Sequence, residues 1–277
     1  MSIWFVTGAS RGFGAEITRV ALERGHKVVA AARKMQAVLD TFPDAGNALL
    51  PVELDVTDPE QIDAAVDAAV ERFGGIDVLI NNAGRGLLGG VEECLDTDVR
   101  ALYEVNVFGL LAVTRAVLPM MRAAKSGTVV NISSVGGFVS APAWGLYAST
   151  KFAVEGLTES LRDEVEPLGI IAGVAEPGYF RTDFLDGSSL HITEGIADYG
   201  DSIVGRTRAL AASINHRQPG DPAKGAAVIV DAVDGGAFPL RLFVGSDTVA
   251  MVTEKIDDVR AELDRQRDVA VTTDHVD

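Results

Sequence analysis

Short apolar segments alternate with longer amphipathic segments along most of this chain. The apolar segment at residues 3–7, for example, is followed by an amphipathic one at residues 15–24. This alternation is typical of a parallel sheet, because each helix carries the chain back across the sheet before the next strand begins. We therefore predict an α/β fold with a single seven-stranded parallel sheet and helices on both faces. The predicted strands are residues 3–7, 27–32, 50–54, 77–80, 128–134, 170–175 and 240–244.

The length and composition suit one large domain. The chain has 277 residues, 47% of them hydrophobic, and no Pro/Ser/Gly-rich linker interrupts the pattern, so we predict a single domain at 1–277. Residues 179–219 are the least regular part of the chain, and their aromatic side chains favour a substrate lid over a disordered loop. Residues 248–267 predict a charged C-terminal helix.

Charge and cysteine content limit the environment and the partners. A formal net charge of -16 argues against binding to nucleic acid or to an anionic membrane surface. The single cysteine, Cys94, excludes an internal disulfide and fits a reducing compartment. The chain begins with a strand-like segment, and no uninterrupted apolar run approaches about 20 residues, the length of a membrane span. We expect a cytoplasmic protein that is not bound to membranes.

Three glycines follow the first predicted strand and precede the first predicted helix. Gly8, Gly12 and Gly14 have the spacing Gly-x-x-x-Gly-x-Gly. A strand, a glycine-rich turn and a helix in this order can bind a pyrophosphate, since the backbone approaches closely and the helix N-terminus carries positive potential. Taken alone, the same pattern is equally typical of a tight turn.

Tyr147 and Lys151 lie four residues apart in a predicted helix, so the phenol and the ammonium share one face. Ser134 closes a predicted strand, and open parallel sheets bind ligands at the carboxyl ends of their strands. A positive Lys151 favours the phenolate, so we expect it to lower the pKa of Tyr147 from about 10 toward working pH. These three groups predict a proton-transfer site with Tyr147 as general acid or base.

Asn106 interrupts an apolar face of the helix predicted at residues 98–124. It is either a polar residue on a helix surface or an amide placed in a buried seam. A buried amide must find hydrogen-bond partners, and such groups are often functional.

In their order along the chain, these motifs resemble those of the short-chain dehydrogenase/reductase family. The resemblance covers about residues 3–182 and implies a doubly wound Rossmann fold and reversible hydride transfer between a nicotinamide cofactor and an alcohol or carbonyl. The matching motifs are Thr7-Gly8-x-x-x-Gly12-x-Gly14, Asp55, Asn81-Asn82-Ala83-Gly84, Asn106, Ser134, Tyr147-x-x-x-Lys151, and Pro177-Gly178 with Thr182.

The resemblance also implies residue roles. Tyr147 would be the acid or base and Ser134 would bond the substrate oxygen. Lys151 would bind the nicotinamide ribose, and Asn106 would hold a relay water. The expected cofactor contacts are Gly8, Ser10, Arg11, Gly12, Phe13, Gly14, Arg33, Lys34, Asp55, Val56, Asn82, Ala83, Gly84, Tyr147, Lys151, Pro177, Gly178, Phe180 and Thr182.

Two positions depart from the family pattern. Phe13 stands where a smaller aliphatic residue is usual, and Glu176 places a carboxylate just before Pro177 and Gly178. The first change has a simple interpretation in helix packing, whereas the sequence offers no explanation for the second.

The end of the second predicted strand favours NADP(H) over NAD(H). The strand ends in Ala32, where an NAD site needs a carboxylate for the ribose 2′-hydroxyl. Arg33 and Lys34 follow directly, and Arg11 lies in the glycine-rich turn, so three cations are available for a 2′-phosphate. The alternative is that Arg33 and Lys34 form a solvated surface pair.

The leading functional hypothesis is an NADP(H)-dependent oxidoreductase that interconverts a ketone or aldehyde and an alcohol. A cofactor-sensing regulator on the same fold is an alternative, since fold does not fix function. Epimerase or dehydratase chemistry with the same tyrosine is another, although such relatives usually carry a larger sugar-nucleotide domain.

Partners and metals can also be predicted. A group of apolar residues, Phe138, Trp144, Phe184 and Leu185, predicts an apolar wall for the substrate. The family resemblance implies a homodimer or homotetramer. We predict no metal site, because His191 and His216 lack a second His or Cys at ligand spacing.

Overall fold

A computed structural model describes residues 1–275, so the last two residues of the predicted domain lie outside the described residues. Seven strands form one sheet in the order β3-β2-β1-β4-β6-β7-β9, with every neighbouring pair parallel. This confirms the predicted doubly wound sheet. The strands are β1 Ile3–Thr7, β2 Lys27–Ala32, β3 Leu49–Glu53, β4 Val78–Asn81, β5 Gly86–Leu88, β6 Gly127–Ile132, β7 Ile170–Pro177, β8 Leu190–Ile192 and β9 Arg241–Val244.

Helices connect the strands and cover both faces of the sheet. Their bounds are α1 Gly12–Glu23, α2 Met35–Thr41, α3 Pro59–Phe73, α4 Asp96–Tyr103, α5 Leu110–Ala124, α6 Gly145–Val165, α7 Ile203–Ile214, α8 Pro222–Asp234 and α9 Ser246–Ala270. Most predicted helices agree to within a few residues at their ends. The exception is 98–124, which is divided into α4, a π-helical turn at Glu104–Gly109, and α5.

The core has two parts, one on each face of the sheet. In the central strands, adjacent residues belong to different parts: Trp4 and Val28 pack on one face, Phe5 and Val29 on the other. This follows from the period of two in a strand. It explains why these strands are continuously apolar, as is usual for parallel strands covered by helices on both sides.

The strand order reverses at the centre of the sheet. From β1 the chain moves outward through β2 and β3, and then returns to add β4, β6, β7 and β9 on the other side of β1. This reversal opens a crevice at the carboxyl ends of β1 and β4, where ligands of open α/β sheets bind.

The segment at 179–219 is more regular than predicted. It contains α7 and strand β8, which pairs in parallel with β5. A buried ion pair holds α7, with Arg208 Nη2 2.8 Å from Glu93 Oε2. Glu93 also accepts hydrogen bonds from the backbone N–H groups of Gly90 and Ile196 at 2.7 and 2.9 Å.

One helical stretch, Asp96–Ala124, is long and apolar enough to cross a membrane by length and composition, with a mean hydropathy of 1.5 in its most apolar window. Of that window, 44% is buried inside the protein. Core helices of soluble proteins meet the same criterion, and α5 packs its apolar face on the sheet.

Candidate active site

Backbone atoms approach one another very closely within the glycine-rich turn. Gly8 and Gly12 have φ of +67° and +55°, in the left-handed region that favours glycine. A Cβ on Gly14 would lie 2.3 Å from the carbonyl oxygen of Gly8. Asn82 Nδ2 fixes the turn by donating to the carbonyl oxygens of Thr7 and Gly8 at 2.9 and 3.1 Å.

Helix α1 presents the N-terminus that a pyrophosphate requires. Its first turn has no acidic residue, and among the described residues no side chain caps it. The N–H groups of that turn are therefore available to an anion. The predicted residue Ser10 lies just before this turn, where its carbonyl accepts from Thr41 Oγ1 at 3.0 Å.

The residues predicted for the adenosine end lie at the ends of β2 and β3. Arg33 and Lys34 are exposed directly after β2, and Val56 is buried after β3. Asp55 Oδ1 accepts from Thr57 N and Thr57 Oγ1 at 3.0 and 2.8 Å, which shapes the turn after β3.

Thr7 joins the glycine-rich turn to the motif after β4. Its Oγ1 accepts from the backbone N–H groups of Asn82 and Ala83, both at 2.9 Å. Gly84 follows, and a Cβ there would lie 3.4 Å from Asn106 Oδ1 and 3.9 Å from Lys151 Nζ. The predicted cofactor motifs and the predicted catalytic residues thus meet at the crevice between β1 and β4.

Ser134 lies two residues beyond the end of β6, so the predicted strand 128–134 is too long. There it caps a short helical turn by accepting from Gly136 N at 3.0 Å. Tyr147 and Lys151 lie one turn apart on α6, as predicted, and both are buried.

The expected low pKa of Tyr147 is wrong for this structure. Burial raises the pKa of Tyr147 to about 12, and the nearby Ser134 hydroxyl offsets only part of that effect. Lys151 Nζ is 5.9 Å from the centroid of the tyrosine ring and donates to the carbonyl oxygen of Ile132 at 2.8 Å. The ammonium is also desolvated: burial lowers the pKa of Lys151 to about 8, although the nearby Glu155 opposes this.

Asn106 is a buried seam residue rather than a surface one, with 1% of its surface exposed. It lies in the π-helical turn, and its amide bonds both backbone groups of Arg85 at 2.9 Å. Nδ2 also donates to Thr150 Oγ1 at 3.1 Å, which ties the turn to α6. Residues in π turns are frequently functional.

Two predicted cofactor residues, one in the glycine-rich turn and one after β7, turn their rings into the core. Phe13 and Phe180 pack edge to face with centroids 4.9 Å apart, so their side chains are structural. Pro177 ends β7 and Gly178 follows it, and the turn there is held by Tyr179 N donating to Asp247 Oδ2 at 2.6 Å. No motif predicts this role for Asp247, which lies 68 residues from Tyr179.

Thr182 and Arg11 both link the glycine-rich turn to the lid. Thr182 lies beside Gly12, and its hydroxyl accepts from Phe184 N at 3.3 Å. The Arg11 guanidinium bonds Ser188 and Ser189 of the lid, and its role at a 2′-phosphate stays a prediction.

Part of the predicted apolar wall surrounds Tyr147. The Trp144 and Phe184 rings lie 5.7 and 5.4 Å from that of Tyr147. Leu185 packs nearby in a small apolar cluster. Phe138 does not belong to this wall, because it faces Phe243 on the other side of α6.

The lid brings together one group that sequence spacing did not reveal. Ligand-type atoms of Asp183, Asp186 and His216 lie within 4.8 Å of one another. Hydrogen bonds account for part of this arrangement, since Asp186 Oδ1 accepts from Asn215 Nδ2 at 2.7 Å and contacts His216 Nε2 at 3.0 Å.

Relatives of known type match over most of the chain. The short chain dehydrogenase family model matches residues 2–191. The oxidoreductase BOA17 of Botryotinia fuckeliana is 36% identical, with 98% of both chains covered. A 3-ketodihydrosphingosine reductase of Bacteroides thetaiotaomicron is 38% identical, with 73% of both chains covered.

Solved structures are similar over the whole fold. A short-chain dehydrogenase from Streptomyces avermitilis has a TM-score of 0.91 and 43% identity, with 99% of this chain and 100% of that one covered. A family member from Burkholderia phymatum, in complex with NAD, has a TM-score of 0.82 and 26% identity, covering 94% and 95%. One from Burkholderia cenocepacia, in complex with NADP, has a TM-score of 0.73 and 27% identity, covering 95% and 96%. The chain belongs to the short-chain dehydrogenase/reductase family of Rossmann-fold oxidoreductases.

Proposed function

We propose that this protein is an NADP(H)-dependent oxidoreductase that interconverts an apolar carbonyl compound and its alcohol. The observation that carries the proposal is the convergence of Ser134, Tyr147 and Lys151 at the carboxyl edge of the sheet, beside the glycine-rich turn. A bound nicotinamide dinucleotide supplies or accepts the hydride.

The side chains provide the proton chemistry. A phenol with a pKa of about 12 stays protonated at neutral pH, which suits a general acid in carbonyl reduction. Tyr147 donates the proton to the carbonyl oxygen, and the Ser134 hydroxyl bonds the same oxygen and orients it. The buried ammonium of Lys151 stabilises negative charge that develops there.

The preference for NADP(H) rests on the end of β2. Arg33 and Lys34 are exposed directly after β2, which leaves them free to pair with a 2′-phosphate, and Ala32 offers no carboxylate to repel one. Related structures contain either NAD or NADP, so the proposed preference for NADP(H) is argued from the cations of this chain. The apolar substrate class rests on Trp144 and Phe184 around Tyr147 and on the relative that reduces a sphingoid ketone.

The test is oxidation of NADPH and NADH by the purified protein against a chemically varied panel of ketones and aldehydes. We expect turnover with NADPH, and a higher kcat/KM for apolar than for small polar carbonyls. Binding of NADPH without oxidation across the panel would instead support a cofactor-sensing protein.

A further inference from the structure

Arg11 makes three hydrogen bonds to a part of the chain far away in sequence. Its Nη1 donates to Ser188 Oγ at 2.7 Å, and its Nη2 donates to Ser188 O and Ser189 Oγ, both at 2.9 Å. Hydrogen bonds from a charged donor are about twice as strong as neutral ones. The glycine-rich turn therefore holds the lid directly.

The same turn touches the lid at a second point. A Cβ built on Gly12 would lie 3.6 Å from Thr182 Cβ, an ordinary van der Waals contact. The turn thus contacts the lid both where it leaves the sheet and just before β8, so the segment between the two contacts is fixed at both ends.

A short series of contacts leads from this segment to the catalytic tyrosine. Ser189 O accepts from Gly86 N at 2.8 Å, which begins the pairing of β5 and β8. Gly86 leaves room for two lid side chains, since a Cβ there would lie 2.7 Å from Leu190 and 3.1 Å from Phe184. The Phe184 ring in turn packs against Tyr147.

We propose that Arg11 is a positioning residue that latches the lid over Tyr147 and so couples the glycine-rich turn to the substrate pocket. Because the guanidinium is committed to the lid, its loss weakens substrate binding equally with either cofactor. Only the kinetic part of this inference rests on the proposed function.

Hydrogen exchange on the full-length, cofactor-free protein tests the latch without any assay of activity. In Arg11→Gln and in Ser188→Ala/Ser189→Ala, we expect exchange in residues 183–192 to be about tenfold faster, a factor that corresponds to about 1.4 kcal/mol. Arg33→Gln is the matched control and should exchange like the wild type. Unchanged exchange in both test variants overturns the latch, and the serine variant decides alone if Arg11→Gln does not fold.

Steady-state kinetics separates a latch from a phosphate ligand. We expect Arg11→Gln to raise the substrate KM by a similar factor with NADPH and NADH, while the ratio of kcat/KM for the two cofactors changes by less than about twofold. Arg11→Lys keeps the charge but loses the forked geometry, and should recover only part of the effect. A large fall in the cofactor ratio with unchanged lid exchange would reject the latch and assign Arg11 to the 2′-phosphate.

Discussion

Burial shifts the pKa of three groups in the protein interior, Tyr147, Lys151 and Glu176. Tyr147 and Lys151 are both shifted toward their neutral forms, and so is Glu176, whose pKa burial raises to about 8 despite the nearby Arg241. Both Glu176 oxygens are buried, and among the described residues neither has a hydrogen-bond partner. Arg241 Nε is 3.7 Å from Glu176 and 3.3 Å from Glu155, so it is shared between two carboxylates.

Replacing Glu176 by glutamine should stabilise the protein at alkaline pH. A raised pKa in the folded state means that the folded protein holds an extra proton between pH 4.5 and about 8, so its stability falls as the pH rises through that window. The amide cannot ionise, and we expect Glu176→Gln to raise Tm at pH 9 by about 2–4 °C but to have little effect at pH 5.

The control for this prediction is Glu159→Gln. Glu159 is an exposed carboxylate that pairs with the same arginine, with its Oε1 2.8 Å from Arg241 Nη2. This variant should leave Tm nearly unchanged at both pH values, since exposed ion pairs contribute little. The measurement is the Tm of the wild type and both variants from pH 5 to pH 9. A lower Tm for Glu176→Gln than for the wild type at pH 9 would show that the ionised carboxylate stabilises the fold.

The proposed preference for NADP(H) also rests on single residues. Ala32→Asp with Arg33→Gln should shift preference toward NADH, because the new carboxylate repels a 2′-phosphate and bonds a 2′-hydroxyl. We expect the ratio of kcat/KM for NADPH over NADH to fall by at least about tenfold. Arg122→Gln, an exposed arginine of α5, is the control. A wild-type ratio below one would contradict the NADP(H) assignment outright.

At the scale of elements, the main sheet could be predicted from the sequence, whereas the helix and strand within residues 179–219 could not. All seven strands of the main sheet were predicted to within two residues at each end, because buried parallel strands are continuous β-branched and apolar runs. Strand β5, Gly86–Leu88, has only three residues, and its partner β8 lies about 100 residues later. A pairing so short and so distant leaves no periodic signal in the sequence.

The candidate site shows the same division. The positions of Tyr147 and Lys151 follow from helical spacing alone. The pKa of Tyr147 did not follow, because it depends on burial that the lid and α6 create together. The direction of Arg11 depends on Ser188 and Ser189, whose position near the turn only the folded lid provides.

We predict that the Glu93–Arg208 ion pair anchors α7 to the rest of the protein. Arg208→Met leaves the buried Glu93 without its charged partner, which typically costs about 3–5 kcal/mol. We expect faster hydrogen exchange in α7 and a higher substrate KM, with exchange in the main sheet nearly unchanged. Arg206→Met, an exposed residue of the same helix, is the control. Equal exchange in α7 for both variants would show that the ion pair does not anchor the lid.

At the scale of the whole molecule, a groove of about 620 Å³ separates α6 from α9. Apolar side chains of α9 lie at 3- and 4-residue intervals, the spacing of a helix that packs against another. Ile256, Val259 and Leu263 on this stripe are 47%, 46% and 55% exposed, and Phe152 of α6 lines the same groove. Large exposed apolar patches mark interaction sites, and we propose that a second copy covers this one.

Charges introduced into the groove should therefore break the predicted homo-oligomer. We expect Ile256→Glu/Leu263→Glu to raise the dissociation constant at least about tenfold, because glutamate cannot be buried without a partner. Val70→Glu, at a 43% exposed position on α3, is the control. Analytical ultracentrifugation distinguishes the outcomes, and a monomeric wild type, or an unchanged assembly in the double variant, would contradict the proposed interface.

The measurement that tests the central claim most directly is turnover and NADPH binding in Tyr147→Phe. The variant keeps the ring packing with Trp144 and Phe184 but removes the acid that protonates the carbonyl oxygen. We predict a loss of about 10²–10⁴-fold in kcat, with the Kd for NADPH within a few-fold of the wild type. Tyr103→Phe removes a nearby phenol that bonds Ser149 and should retain activity. Near wild-type turnover in Tyr147→Phe would contradict Tyr147 as the general acid.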